Sequence, residues 1–90
     1  MADLTTIWKF PFAIEDEFWL DLPGDAQVLH VAMQQSTPCL WAAVAPDADV
    51  IPRRFAVRGT GHSLPSGAHH VATFSQPPFV WHLFAFPGAG

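Results

Sequence analysis

Nine prolines and six glycines divide this 90-residue chain into short segments. No uninterrupted segment shows the apolar repeat of three to four residues that an amphipathic helix needs. Several segments instead alternate apolar and polar residues, as half-buried strands do. The spacing predicts an all-β fold: a small antiparallel sandwich or barrel of six to seven short strands, forming a single compact domain over residues 1–90.

The predicted strands begin where alternation starts and end where turn residues occur. Pro23-Gly24 predicts a type II turn, because proline fixes the first central φ and glycine accepts a positive second one. Residues 46–52 are predicted as a loop, and a short helix near Glu15–Trp19 is the main alternative to the strand assignment. The strands are predicted over Thr5–Ile14, Glu17–Leu22, Gln27–Gln35, Cys39–Ala45, Arg53–Arg58, His69–Ser75 and Phe79–Phe86.

Two strands allow a prediction about how their side chains are distributed between the two faces. In Gln27–Gln35, alternation places Leu29, Val31 and Met33 on one face and His30 on the other. Cys39–Ala45 is apolar on both faces, which is typical of a central strand covered on both sides.

Aromatic residues are abundant for so small a domain: the chain has four Trp and eight Phe, and half of its residues are apolar. Such a composition excludes a disordered chain, which needs low hydrophobicity and high charge. A domain of this size has a large surface relative to its volume, so it has few places to bury twelve large rings. We therefore expect a homo-oligomer, in which a second copy covers part of the aromatic surface.

Charge is distributed unevenly along the sequence. All eight acidic residues lie within the first 49 positions. Three of the four basic residues lie after them: Arg53, Arg54 and Arg58. This asymmetry predicts one surface that meets an anion and another that is acidic. The net charge of −4 and the single lysine argue against a nucleic acid polymer as partner, because such binding needs many phosphate contacts.

The segment from Arg53 to His62 carries the candidate ligand-binding site. On a strand, Arg54 and Arg58 share one face and lie roughly 13 Å apart, a spacing that suits two ends of a dinucleotide. Arginine binds phosphate through a planar fork, and glycine-rich turns expose backbone N–H groups to anions. The alternative is a solvated strand face that runs into an ordinary glycine turn. The predicted ligand-binding residues are Arg54, Arg58, Gly59, Thr60, Gly61 and His62.

A second candidate surface lies at the start of the second predicted strand. Trp19 alternates with acidic residues and should be exposed, where it could anchor a protein partner or stack on a base. The acidic residues before it suit a protein-binding surface better than acid–base catalysis. The predicted partner-binding residues are Glu15, Asp16, Glu17 and Trp19.

The remaining reactive side chains do not form a recognisable catalytic or metal-binding set. His69 and His70 are adjacent, so on a strand they point in opposite directions. His82 is predicted to be buried and bonded to backbone, or to lie at a subunit interface. Cys39 has apolar neighbours, which make a thiol unreactive. We predict no catalytic residues, no metal and no cofactor; a phosphodiesterase-like activity through His62 and His69 is a weaker alternative.

The first residues lack the basic segment of a secretory signal. The longest apolar stretch, Phe79–Phe86, is far shorter than the roughly 20 residues that span a membrane as a helix. These features predict a cytoplasmic protein with no membrane partner.

Three sequence blocks together suggest a family. The blocks are Ile-Trp-Lys-Phe-Pro at 7–11, Pro-Cys-Leu-Trp-Ala at 38–42 and Gly-Thr-Gly-His at 59–62. With these blocks the chain resembles small uncharacterised proteins of bacteriophages and prophages, over nearly its whole length. The resemblance implies a phage origin, a compact all-β domain and a location in the host-cell cytoplasm during infection, but no known reaction.

Small phage proteins without enzymatic motifs often act as accessory factors. By analogy, the resemblance therefore implies an accessory role for this protein. The leading hypothesis is an antagonist of host antiviral defence that binds and sequesters a small nucleotide-type signal. The alternative is a direct protein inhibitor of a host defence complex, acting through the acidic N-terminal half.

Overall fold

The all-β prediction is confirmed by the structure, a computed structural model that describes residues 3–88. The first two and last two residues of the predicted domain lie outside the described residues. Within residues 3–88 there is no helix, and two antiparallel sheets pack together as a sandwich. The seven strands are β1 (Thr6–Pro11), β2 (Glu17–Pro23), β3 (Gln27–Gln34), β4 (Thr37–Val44), β5 (Val50–Gly59), β6 (His69–Gln76) and β7 (Phe79–Ala85).

The strands are divided between a three-stranded sheet, in the order β1-β4-β3, and a four-stranded sheet, in the order β2-β5-β7-β6. All neighbours are antiparallel. The edge strands β3 and β6 contact each other along one side of the sandwich. The order places β5 beside β7, which follows it only after β6, and this pairing builds the candidate site described below.

Apolar side chains from both sheets and from the loops form one core. Leu40 of the three-stranded sheet and Leu83 of the four-stranded sheet are fully buried in it. Phe12, in the connection after β1, stacks on Phe18 with ring centroids 5.1 Å apart, and Phe18 stacks on Phe55 at 5.5 Å. Burying each such side chain contributes about 1.5–3 kcal/mol to stability.

The prediction that Cys39–Ala45 belongs to a central strand is confirmed, because β4 pairs with strands on both sides. One pair of side chains from its two neighbouring strands also forms a hydrogen bond. Lys9 of β1 donates a hydrogen bond to Gln34 of β3, with Nζ and Oε1 2.6 Å apart. Cys39 itself is 2% exposed and its Sγ lies 3.7 Å from the Thr37 carbonyl oxygen, so the thiol is shielded.

Several predicted segment boundaries are wrong: the first strand ends at Pro11 instead of Ile14, and β4 begins at Thr37 instead of Cys39. The predicted loop at 46–52 ends earlier, since β5 begins at Val50 and Pro52 pairs with Asp21. Proline has no backbone N–H, so it fits best where a strand has a neighbour on one side only. This end of β5 is such a place, because β7 pairs with β5 only from Phe55 onward. The alternative helix near Glu15–Trp19 does not form, because its last three residues belong to β2.

The turn after β2 also differs by one residue from the prediction. Ala26 N–H donates to the Pro23 carbonyl, so Pro23 opens the turn and Gly24 and Asp25 are its central residues. Asp25 carries the positive φ of 63° that the prediction gave to glycine. Aspartate tolerates this left-handed conformation better than most residues do.

A bulge in β3 shifts the predicted facing of its side chains. The register with β4 changes between Val28 and His30, which leaves Leu29 outside the ladder. Leu29 is 51% exposed, whereas Val28, Val31 and Met33 pack on the core. The predicted grouping of Leu29 with Val31 and Met33 on one face is therefore wrong, whereas Val31 and Met33 do share a face.

Candidate functional site

The four-stranded sheet presents a polar face on the side that points away from the three-stranded sheet, here called the outer face. Phe55 and Val57 pack into the core, so alternation places Arg54 and Arg58 on the outer face. Arg58 pairs with His82 of β7, and His82 in turn pairs with Thr73 of β6. The three neighbouring strands β5, β7 and β6 thereby bring an arginine, a histidine and a threonine into one row.

A cavity of about 380 Å³, here called the outer-face cavity, opens beside this row. Its size lies within the range of about 300–1,000 Å³ typical of small-molecule sites. Its lining comprises the turn residues Gly59, Thr60, Gly61 and His62, together with Arg58, Leu64, His70, His82 and Phe84.

The turn that forms one wall of the cavity has defined geometry. His62 N–H donates to the Gly59 carbonyl at 3.0 Å, and Gly61 has a φ of 96°. These are features of a type II turn, whose third residue has positive φ and is favoured as glycine. Gly59 N–H donates to Nδ1 of His62 at 3.1 Å, so a neutral His62 ring carries its hydrogen on Nε2. His62 therefore offers Nε2–H as a hydrogen-bond donor.

Arg58 is held in place by backbone carbonyls and keeps donors for a ligand. Its Nη1 donates to the Asp16 carbonyl at 2.8 Å and to the Val57 carbonyl at 3.1 Å. Among residues 3–88, its Nε and Nη2 make no hydrogen bond and no carboxylate pairs with it. The guanidinium is thus oriented while its positive charge is left without a protein counter-ion in the described part of the chain.

Two threonines and two histidines form a continuous hydrogen-bonded chain across the cavity floor. The His82 ring lies between Thr60 Oγ1, 3.1 Å from Nε2, and Thr73 Oγ1, 2.9 Å from Nδ1. Thr73 Oγ1 also lies 3.0 Å from Nε2 of His70. A hydroxyl has one hydrogen, so the neutral chain has two consistent directions. When His70 donates to Thr73 and His82 donates to Thr60, the Thr60 hydrogen is free to donate to a ligand.

The cavity is lined by no carboxylate side chain. This follows from the sequence, because the turn and the strands β6 and β7 come from the part of the chain that has no Asp or Glu after position 49. Arginine, threonine and histidine donors therefore converge without a competing negative charge in the lining. Such a site can hold a small anion through charge-assisted hydrogen bonds.

Arg54 lies on the outer face but does not line the outer-face cavity. Its Nη2 and Nε lie 2.7 Å and 3.1 Å from Oε2 of Glu17, and its guanidinium stacks over the Phe86 ring at 3.9 Å. The structure therefore brings together five of the six predicted ligand-binding residues and places the sixth in an ion pair. The charge of Arg54 is thus already paired with Glu17, unlike that of Arg58.

The predicted partner-binding residues border the same face. Trp19 is 60% exposed, as its alternation predicted, and it pairs with Arg54. Glu15 and Asp16 are exposed, whereas the Glu17 carboxylate is engaged by Arg54. The two predicted sites are thus neighbours on one sheet, because β2 and β5 are paired.

The remaining predicted features have simple structural positions. His82 is half-buried and bonds to two threonine hydroxyls, so the predicted bond to backbone is wrong. His69 and His70 point to opposite faces: His69 pairs with the core residue Ala85, and His70 lines the outer-face cavity.

Between residues 3 and 88, no three His, Cys, Asp or Glu side chains are arranged to hold a metal ion. No helix in this part of the chain is long and apolar enough to span a membrane.

Four cavity residues were missed by sequence reasoning: Leu64, His70, His82 and Phe84. Three of them lie on β6 and β7, and their approach to Arg58 depends on β7 pairing with β5. Alternation places His82 and Phe84 on a common face, but it does not identify the neighbouring strand.

Comparison with known proteins gives a family and no function. A family model described as a domain of unknown function, DUF7352, matches residues 4–89. The chain therefore belongs to this family. Neither the curated proteins nor the solved structures contain a match to the chain.

Proposed function

We propose that this member of the DUF7352 family is a non-catalytic binding protein that sequesters a small anionic ligand in the outer-face cavity. The observation that carries the proposal is the convergence of Arg58, Thr60 and His62 on a cavity without a carboxylate. Arg58 supplies the charge, Thr60 and His62 supply neutral donors, and Gly61 allows the turn to form. Phe84 and Leu64 add apolar surface for the uncharged part of the ligand.

Binding without turnover fits the chemistry of the cavity lining. Hydrolysis of a phosphate ester needs an activated nucleophile, a positioned base or a metal. The lining has no cysteine or carboxylate, and both ring nitrogens of His82 are engaged by threonine hydroxyls. The other two histidines of the lining each have one ring nitrogen in a hydrogen bond, Nδ1 of His62 with the Gly59 N–H and Nε2 of His70 with the Thr73 hydroxyl. The ligand should therefore be recovered intact.

The biological setting that we propose is phage antagonism of host defence, with a nucleotide-type signal as the sequestered ligand. The setting comes from the resemblance to phage proteins, and the ligand chemistry comes from the cavity. A direct inhibitor of a host defence complex is the second candidate. It is favoured by the 60% exposure of Trp19 beside the exposed acids Glu15 and Asp16 on edge strand β2 and the segment before it.

The test uses two arginine variants that lose the same charge from the same strand face. Arg58→Gln removes the cavity guanidinium, and Arg54→Gln removes the guanidinium that Glu17 already engages. Equilibrium dialysis with ribose 5-phosphate should show binding by the unmodified protein. Arg58→Gln should weaken binding about 10- to 150-fold, the loss expected for one charged hydrogen bond. Arg54→Gln should leave the affinity within about twofold, well below the tenfold that 1.4 kcal/mol represents.

Equal losses in both variants would contradict the proposal, since they would indicate a general charge effect. No binding by the unmodified protein would contradict it outright. Mass spectrometry of small molecules released from the denatured protein, after purification from infected cells, would identify the natural ligand. A cleaved ligand would support an enzyme instead.

A further inference from the structure

A second cavity, of about 320 Å³, lies against the same turn as the outer-face cavity. It shares Gly59, Thr60 and His62 with the first cavity, and its other lining residues come from the β6–β7 hairpin. We call it the ring cavity, because its hairpin wall, 78–81, contains two aromatic rings. The Gly59–His62 turn is therefore a common wall between a cationic cavity and an aromatic one.

The aromatic wall of the ring cavity is fixed and partly exposed. Phe79 and Trp81 stack with ring centroids 5.6 Å apart and an interplanar angle of 30°. Trp81 packs against the core, and its Nε1–H donates to Oε1 of Gln76 at 3.0 Å. Phe79 remains 55% exposed. The wall thus offers an exposed ring face on an immobilised support, which is what stacking of a planar ligand group requires.

The turn itself supplies polar contacts between the two cavities. The His62 ring packs over Gly59, since a Cβ added there would meet its Cε1 at 3.1 Å and Cζ3 of Trp81 at 3.3 Å. The acceptor nitrogen of His62 is satisfied by the Gly59 N–H, which leaves the Nε2–H of a neutral ring as a donor. Thr60 contributes a hydroxyl to both cavities. Donors at this position suit a hydroxylated linker between a phosphate and a flat ring.

We propose that the ligand is a nucleotide whose phosphate binds in the outer-face cavity and whose base stacks on Phe79 in the ring cavity. The sugar lies over the turn, within reach of the donors on Thr60 and His62. This inference rests on the proposed function and adds which cavity binds the phosphate and which binds the base. A free phosphate would use only the first cavity, and an uncharged ring would use only the second.

The experiment compares three probes by isothermal titration calorimetry: adenosine 5′-monophosphate, ribose 5-phosphate and adenosine. The nucleotide should bind about 5- to 150-fold more tightly than ribose 5-phosphate, which is the range that stacking of one base on an aromatic side chain gives. Phe79→Ala should remove most of this advantage and leave the affinity for ribose 5-phosphate unchanged. Trp8→Ala is the control, because Trp8 is an exposed aromatic residue on the three-stranded sheet, outside both cavities, and it should change neither affinity.

The outcomes separate this inference from the proposed function. Equal affinities for the nucleotide and ribose 5-phosphate, both weakened by Arg58→Gln, would overturn the ring-cavity inference and leave anion binding intact. Nucleotide binding that matches adenosine binding and is insensitive to Arg58→Gln would overturn the proposed function, and with it the assignment of the phosphate. Retention of the full advantage in Phe79→Ala would also overturn the inference. Phe79 is exposed, so an unchanged melting temperature should accompany its loss of binding.

Discussion

Gly59 is a position where one added methyl group should test the turn that separates the two cavities. An alanine Cβ at this position would lie 3.1 Å from Cε1 and 3.3 Å from Nδ1 of His62, and 3.3 Å from Cζ3 of Trp81. Trp81 cannot move easily, because it packs on the core and is hydrogen-bonded to Gln76. His62 is exposed, so its ring should move away and lose the Gly59 N–H hydrogen bond.

The expected cost follows from two opposing terms. Forcing a methyl group into a packed contact costs about 1–3 kcal/mol. Replacing glycine by alanine at a φ that alanine accepts stabilises a protein by about 0.4–1 kcal/mol, because alanine reduces the conformational entropy of the unfolded chain. Gly59 has no positive φ, so both terms apply. Gly59→Ala should lower the free energy of unfolding by up to about 2.6 kcal/mol, with Tm falling about 4–8 °C per kcal/mol.

A double-mutant cycle with His62→Ala tests whether His62 is the obstacle. With His62 truncated, the new methyl group meets only Trp81, at 3.3 Å, so Gly59→Ala should cost less in this background than in the unmodified protein. The assay is chemical denaturation of the four proteins, followed by tryptophan fluorescence. An equal cost of Gly59→Ala in both backgrounds would refute the reasoning, because it would show that the His62 ring does not occupy the space above Gly59.

Three further predictions concern the core, the ion pair and association. Leu40→Ala should lower the free energy of unfolding by about 2–5 kcal/mol, whereas Leu64→Ala, at a residue that is 77% exposed, should change it by less than about 0.5 kcal/mol, as thermal melts can show. Glu17→Gln should destabilise by less than about 1 kcal/mol, with a smaller difference in 1 M NaCl, because the pair with Arg54 is only half-buried; urea titrations at two salt concentrations measure this. Sedimentation at micromolar concentration should show a dimer or larger species; a strict monomer would remove the prediction from aromatic content.

The fold class could be predicted because the prolines and glycines act locally. Each disfavours a helix wherever it occurs, and most lie in turns or at strand ends, although Pro38 and Pro52 lie within β4 and β5. Alternation then assigns the faces, as for Trp19 and Phe18 in β2. The wrong predictions concern features that the alternation of apolar and polar residues does not indicate. Leu29 is exposed because a bulge interrupts β3, and the sequence around it contains neither the glycine nor the proline that marks many bulges.

The candidate site could be predicted in part for the same reason. Residues 58–62 are adjacent in sequence, so a turn with two glycines brings them together without knowledge of the strand order. Arg54 and Arg58 are equivalent by alternation, and only the pairing of β2 with β5 shows that Glu17 engages Arg54. His82 joins the site through the pairing of β5 with β7, a long-range contact that no local pattern specifies.

The most direct test of the central claim is a nuclear magnetic resonance titration of the ¹⁵N-labelled protein with ribose 5-phosphate. The account predicts saturable shifts of the backbone amides of Thr60 and Gly61 and of the Arg58 side-chain Nε–H. The same shifts should occur in Arg54→Gln and be lost in Arg58→Gln. Saturable shifts confined to Arg54 and Trp19, or persistence of the turn shifts in Arg58→Gln, would contradict the claim that the outer-face cavity binds the anion.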